Sequence, residues 1–120
     1  MRLLCADDDP DIRTILGLAL GLDPAIQAQV CNGGAELLAA VRQSGADAIL
    51  LDVQMPDPDG FATCAQLKAD PATAHLPVVF LSASSSDAII ARIRASGAAG
   101  HLEKPFDPVT LASAVRALIQ

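Results

Sequence analysis

Asp52 closes the apolar run Ala48-Ile49-Leu50-Leu51 and is followed, after Val53 and Gln54, by Met55-Pro56-Asp57-Pro58-Asp59-Gly60, a succession of turn formers. A carboxylate that a buried strand delivers into a turn stands at the carboxyl edge of a sheet, where open α/β sheets bind ligands. Other groups of matching chemistry occupy corresponding places. Asp7 and Asp8 follow the apolar segment Arg2 to Ala6, Ser82 ends the run Pro77 to Ser82, and Lys104 follows the short segment Gly100 to Glu103. Carboxylates brought together raise one another's pKa unless a cation neutralises them, and hard oxygen ligands suit Mg²⁺. With such a cation bound, Asp52 stays ionised and can attack phosphorus, the metal and the Lys104 ammonium balance charge on the transferring oxygens, and Ser82 offers a hydroxyl donor.

These side chains converge only if the segments that carry them lie side by side. Arg2 to Ala6, Ala48 to Asp52 and Pro77 to Ser82 are solid apolar runs, as expected of parallel strands buried on both faces. Ile26 to Cys31 alternates apolar and polar residues, which predicts an edge strand with one open face, and Gly100 to Glu103 predicts a short fifth strand. Between them lie helical spacings. Asp9-Pro10 supplies an N-cap and a proline at the first helical position for a helix from Pro10 to Leu20, with Gly21 near its end. Leu37, Leu38 and Val41 mark a helix from Gly34 to Gln43 that Gly45 closes; Phe61, Cys64, Ala65 and Leu67 mark one after Gly60 that Asp70-Pro71 stops. Ile89, Ile90 and Ile93 predict a helix from Ser85 to Ser96 with Gly97 as its C-cap. Asp107-Pro108 repeats the cap signature of the first helix and predicts a last helix carrying Leu111, Val115 and Leu118. Strand and helix therefore alternate, with short connections, the pattern of a doubly wound α/β domain: a five-stranded parallel sheet with helices on both faces.

Composition narrows the function classes. The 120 residues suit one domain, and a hydrophobic content of 52% is ample for its core. A net charge of -6 and a pI near 4.5 argue against general binding of nucleic-acid backbones by this domain. No apolar run approaches the roughly 20 residues of a membrane span, and Met1-Arg2-Leu3-Leu4 leads into three aspartates rather than a signal peptide, so a cytoplasmic protein is expected. Cys5, Cys31 and Cys64 lack metal or disulfide spacing and read as small apolar core residues.

From its first strand to its last helix the chain resembles the receiver domain of bacterial two-component response regulators. The acidic pair is Asp7-Asp8 in ADDDP, the phospho-accepting aspartate is Asp52 in LLDVQMPDPDG, the hydroxyl residue is Ser82 in VVFLSA, and the lysine-proline pair is Lys104-Pro105 in LEKPF. The resemblance implies the flavodoxin-like strand order 2-1-3-4-5. It implies Mg²⁺ held by Asp8, Asp52 and the main-chain carbonyl of Gln54, with Asp7 contributing directly or through water. It further implies that Asp52 takes a phosphoryl group from a phosphohistidine on a sensor histidine kinase or phosphotransfer protein, or from acetyl phosphate, and later loses it to water. Ser82 and then His101 would follow the phosphoryl group inward and bias the surface of helix four, strand five and helix five toward an output domain, a target protein or a homodimer. His101 departs from the Tyr or Phe that the family often carries there.

Plainer readings stand beside these. Asp9 is a helix cap. His75 sits in a polar loop, His101 has no second histidine with which to hold a metal, and Arg92, Arg94 and Arg116 are too scattered for a nucleic-acid patch. Two other functions share the chemistry: a Mg²⁺-dependent phosphohydrolase working through an aspartyl-phosphate, and a degenerate receiver serving only as an interaction module. Gln54 falls where haloacid-dehalogenase-type phosphohydrolases carry the second aspartate of D-x-D, and the chain has no room for a substrate cap.

Overall fold

The computed structural model describes residues 1–120. Strands β1 (Arg2–Ala6), β2 (Gln27–Cys31), β3 (Ala48–Asp52), β4 (Val78–Ser82) and β5 (Gly100–Glu103) alternate with helices α1 (Pro10–Leu20), α2 (Gly34–Ser44), α3 (Gly60–Ala69), α4 (Asp87–Ala95) and α5 (Leu111–Ile119). All neighbouring strands pair in parallel, in the order β2-β1-β3-β4-β5. The apolar runs take the three inner places because a strand covered on both faces must be apolar at every position. The alternating β2 takes an edge, with Gln27, Ala28 and Gln29 exposed.

Strand side chains point to opposite faces in turn, and each face has its own core. Leu3, Cys5, Leu50, Val79 and Leu81 pack with Leu16 and Leu20 of α1 and with Leu111 and Val115 of α5. Leu4, Ile49, Leu51, Val78 and Phe80 pack on the other face with Leu37 and Val41 of α2, Cys64 and Leu67 of α3, and Ile93 of α4. Each buried leucine contributes roughly 1.5–3 kcal/mol by leaving water. Helix α4 is thinly attached, since Ile93 is its only buried residue. The three cysteines are buried and unpaired in these layers.

Asp9 caps α1 by accepting the Asp11 N–H at 2.9 Å, with Pro10 leading the helix as expected. Beyond one-residue shifts at the end of α2 and the start of β4, three elements differ from expectation. Strand β2 starts at Gln27 because Ile26 is held in a turn, its N–H donating to the Asp23 carbonyl at 3.0 Å. Helix α4 is shorter than Ser85 to Ser96 because the serine run serves as its cap: Ser84 Oγ accepts the Ser86 N–H and Ser86 Oγ accepts the Ile89 N–H. Its C-cap is Ser96, and Gly97 follows in the left-handed region at φ 80°, a conformation suited to glycine. Asp107-Pro108 does not open α5. The Asp107 side chain accepts the Val109 N–H at 2.9 Å and its carbonyl accepts the Thr110 N–H at 3.2 Å, closing a separate turn before Leu111.

Candidate functional site

The parallel register aligns Ala6 with Leu51, Asp52 with Leu81, and Ser82 with Glu103, so the residues leaving β1, β3 and β5 emerge on one rim. Asp7 is fully buried and Asp52 nearly so, at 0% and 5% exposure. The Lys104 ammonium lies between them, 2.8 Å from Asp7 Oδ2 and 3.2 Å from Asp52 Oδ2. Asp7 Oδ1 accepts the Asp9 N–H at 2.9 Å, and Asp52 Oδ1 accepts the Gln54 N–H at 3.2 Å.

The charges do not balance. Burial, and then the neighbouring Asp7, push the Asp52 carboxyl above the usual carboxylate range, against the opposing pull of Lys104 and the Gln54 N–H. Burial alone would lower Lys104, but the hydrogen bond to Asp7 and the attraction of Asp52 outweigh it and hold its ammonium above the ordinary lysine value. One ammonium is shared by two carboxylates, and its shorter contact is with Asp7. Asp52 is therefore the carboxylate left short of positive charge. Exposed Asp8 completes the acidic set: one carboxylate oxygen each from Asp7, Asp8 and Asp52 lie within 4.8 Å of one another. An all-oxygen donor set with this excess of negative charge fits Mg²⁺.

Glycine at position 60 lets the site form. Asp59 caps α3 by accepting the Ala62 N–H at 2.8 Å, and a Cβ on Gly60 would overlap the Asp52 carbonyl oxygen. The first turn of α3 thus packs directly on the backbone of the residue that carries the candidate reactive carboxylate.

Above the carboxylates opens a cavity of about 690 Å³, lined by Asp7, Asp8, Asp9, Asp52, Gln54, Asp59 and Lys104, with Val53, Met55, Pro56, Phe61, Ala83, Ile89 and Arg92 completing its walls. The structure thus brings Asp7, Asp8, Asp52, Gln54 and Lys104 together. Ser82 ends β4 at the rim, but its hydroxyl donates to the Ser84 carbonyl and accepts the Ser84 N–H, and Ala83 rather than Ser82 lines the cavity. His101 is half-buried on β5, opposite Phe80 in the register, and does not line the cavity. His75 is exposed.

Among the lining residues that the sequence did not assign to the site, Arg92 and Phe61 form a pair. Arg92 holds its guanidinium carbon 4.0 Å from the centroid of the Phe61 ring, over the ring face. Phe61 had the signal of adjoining Gly60 at the start of α3, and Arg92 stands three residues after Ile89 on one helical face.

The response regulator receiver domain model matches residues 3–116. The chain belongs to this family. Among curated proteins the receiver is 34% identical to the DNA-binding response regulator MtrA of Mycolicibacterium smegmatis, over 99% of this chain and 50% of that protein. It is 33% identical to the transcriptional regulatory protein GltR of Pseudomonas aeruginosa, over 98% of this chain and 48% of that one. The receiver thus spans about half the length of these relatives. Among solved structures, the Vibrio cholerae chemotaxis protein CheY4 superposes with a TM-score of 0.89 at 28% identity, covering 98% of this chain and 97% of that one. The fold is the doubly wound one expected, and no helix of the receiver is long and apolar enough to cross a membrane.

Proposed function

We propose that residues 1–120 form one receiver in which Asp52 is the phosphoacceptor, working in the cytoplasm. The observation that carries this reading is the Lys104 ammonium held between Asp7 and Asp52, with Asp8 beside them, at the floor of an open cavity on the strand-end rim. An Asp52 oxygen attacks the phosphorus of a phosphohistidine on a histidine kinase or phosphotransfer protein. The P–N bond breaks, the imidazole leaves with a proton, and an acyl phosphate remains on Asp52. Lys104, already beside Asp52, pairs with the incoming phosphoryl oxygens. Asp7, Asp8, Asp52 and the main-chain carbonyl of Gln54 would hold Mg²⁺, which when bound supplies the positive charge that this acidic set lacks. Water later attacks the same phosphorus and releases phosphate without a further enzyme.

Ser82 is the hydroxyl that turns from Ser84 toward the phosphoryl group, and His101 is the residue beside Phe80 that responds to it. Helix α4, whose one buried residue is Ile93, is the element such a change would move most readily. The output is a linked domain, a separate target protein or a homodimer, and direct nucleic-acid binding by this domain is not part of the reading.

Intact mass after incubation with acetyl phosphate and Mg²⁺ tests the assignment. Gain of one phosphoryl group, absent in Asp52→Asn and in the presence of a chelator, is the expected result. Release of phosphate from p-nitrophenyl phosphate with turnover would favour a phosphohydrolase, and no labelling by acetyl phosphate or phosphoramidate would favour an interaction module.

A further inference from the structure

Five aspartates line the cavity, Asp7, Asp8, Asp9, Asp52 and Asp59, against two cations, Lys104 and Arg92. Any phosphodonor arrives as an anion and meets a negative rim. Lys104 is already engaged by two carboxylates. The Arg92 guanidinium takes part in no ion pair and donates no side-chain hydrogen bond; its contact is the Phe61 ring face at 4.0 Å. An aromatic face holds a guanidinium in place without using its N–H donors, and those donors match phosphate oxygens bidentately. Phe61 is itself fixed from below by the Phe80 ring, with centroids 5.1 Å apart, so the perch is tied to the core of the sheet.

We propose that Arg92, poised on Phe61, is an anion-binding residue at the cavity mouth that engages the phosphoryl oxygens of small phosphodonors before transfer. The role rests on the reading of Asp52 as the acceptor, but binding of the anion does not require transfer. Acetyl phosphate, a dianion near neutral pH, depends on Arg92 more than phosphoramidate, which carries its own ammonium.

Two measurements test it and separate it from the Asp52 assignment. In the first, the wild-type protein with Mg²⁺ is titrated with inorganic phosphate while the Arg92 Nε–H resonance is followed by NMR, against sodium chloride of equal ionic strength. A saturable shift specific to phosphate, lost in Phe61→Leu, is expected, and it supports the site even if no phosphoryl group is ever transferred to Asp52. No phosphate-specific shift overturns the proposal. In the second, labelling rates are measured against acetyl phosphate concentration. Arg92→Ala raises the half-saturating concentration, or lowers the initial slope, about tenfold at low salt, with the deficit shrinking as salt rises and partly restored by Arg92→Lys. An unchanged concentration dependence in Arg92→Ala overturns it, because a helix residue with only a structural role would alter stability and leave that dependence alone.

Discussion

Lys104 and Asp7, 97 positions apart in the chain, are in direct contact: the ammonium donates to a fully buried carboxylate at 2.8 Å. The same ammonium reaches Asp52 only at 3.2 Å. Lysine thus occupies space and charge that a divalent cation would otherwise command. Replacing Lys104 with Met is expected to strengthen Mg²⁺ binding several-fold, by calorimetric titration, while slowing labelling by acetyl phosphate about 100-fold, the scale of losing one charge-stabilising donor.

The pH dependence of stability follows from Asp52. Its folded pKa is raised, so folding favours the protonated form. The resulting stabilisation is fully present below the unfolded value, about 3.9, and is lost as pH rises through the folded value. At neutral pH the ionised Asp52 therefore weakens the metal-free fold. Asp52→Asn should raise metal-free stability at pH 7 by roughly 1 kcal/mol in urea titrations. Mg²⁺ should raise the wild-type Tm at pH 7 and do so progressively less as Asp52 protonates, and a chelator should abolish the rise.

Gly60→Ala puts a methyl group into the Asp52 backbone. Either β3 or the start of α3 must move, at a cost of about 1–3 kcal/mol. Chemical denaturation should register that loss, and labelling at Asp52 should slow even at temperatures where the variant is fully folded.

Ile93→Ala removes the one buried anchor of α4. Hydrogen exchange should accelerate across Asp87–Ala95 while the amides of β3 and β4 stay protected. Uniform acceleration across the sheet would show instead that α4 is integral to the global fold.

Most of the fold was legible because local signals agreed. Solid apolar runs marked the inner strands, and Asp9-Pro10 marked the start of α1. Asp107-Pro108 carried the same signature and misled, since a carboxylate that binds an N–H two residues on makes an isolated turn as readily as a helix start. At the site, Asp7, Asp8, Asp52 and Lys104 were legible because parallel register alone brings strand ends to one edge. The Arg92 and Phe61 pair was not, because the rotation of α4 against α3 depends on how Ile93 and Cys64 seat in the core. Nor did the sequence indicate that the Ser82 hydroxyl is satisfied by Ser84, since hydroxyl direction follows the loop's local geometry.

The buried cysteines give this chain, which has no Trp or Tyr, a built-in gauge of its own opening. Burial, with Cys31 beside it, raises the Cys5 thiol far above its usual range; burial, with Glu36 nearby, raises Cys31 to about 11; and burial raises Cys64. None reacts at an appreciable rate while the layers are closed. Cys5 sits on the α1 and α5 side of the sheet, Cys31 and Cys64 on the other. A mass-tagging alkylating reagent therefore counts which side has parted. Molecules passing from no tags directly to the full set would open as a unit, whereas a population tagged on one side only would show that the two halves of the sandwich come apart separately.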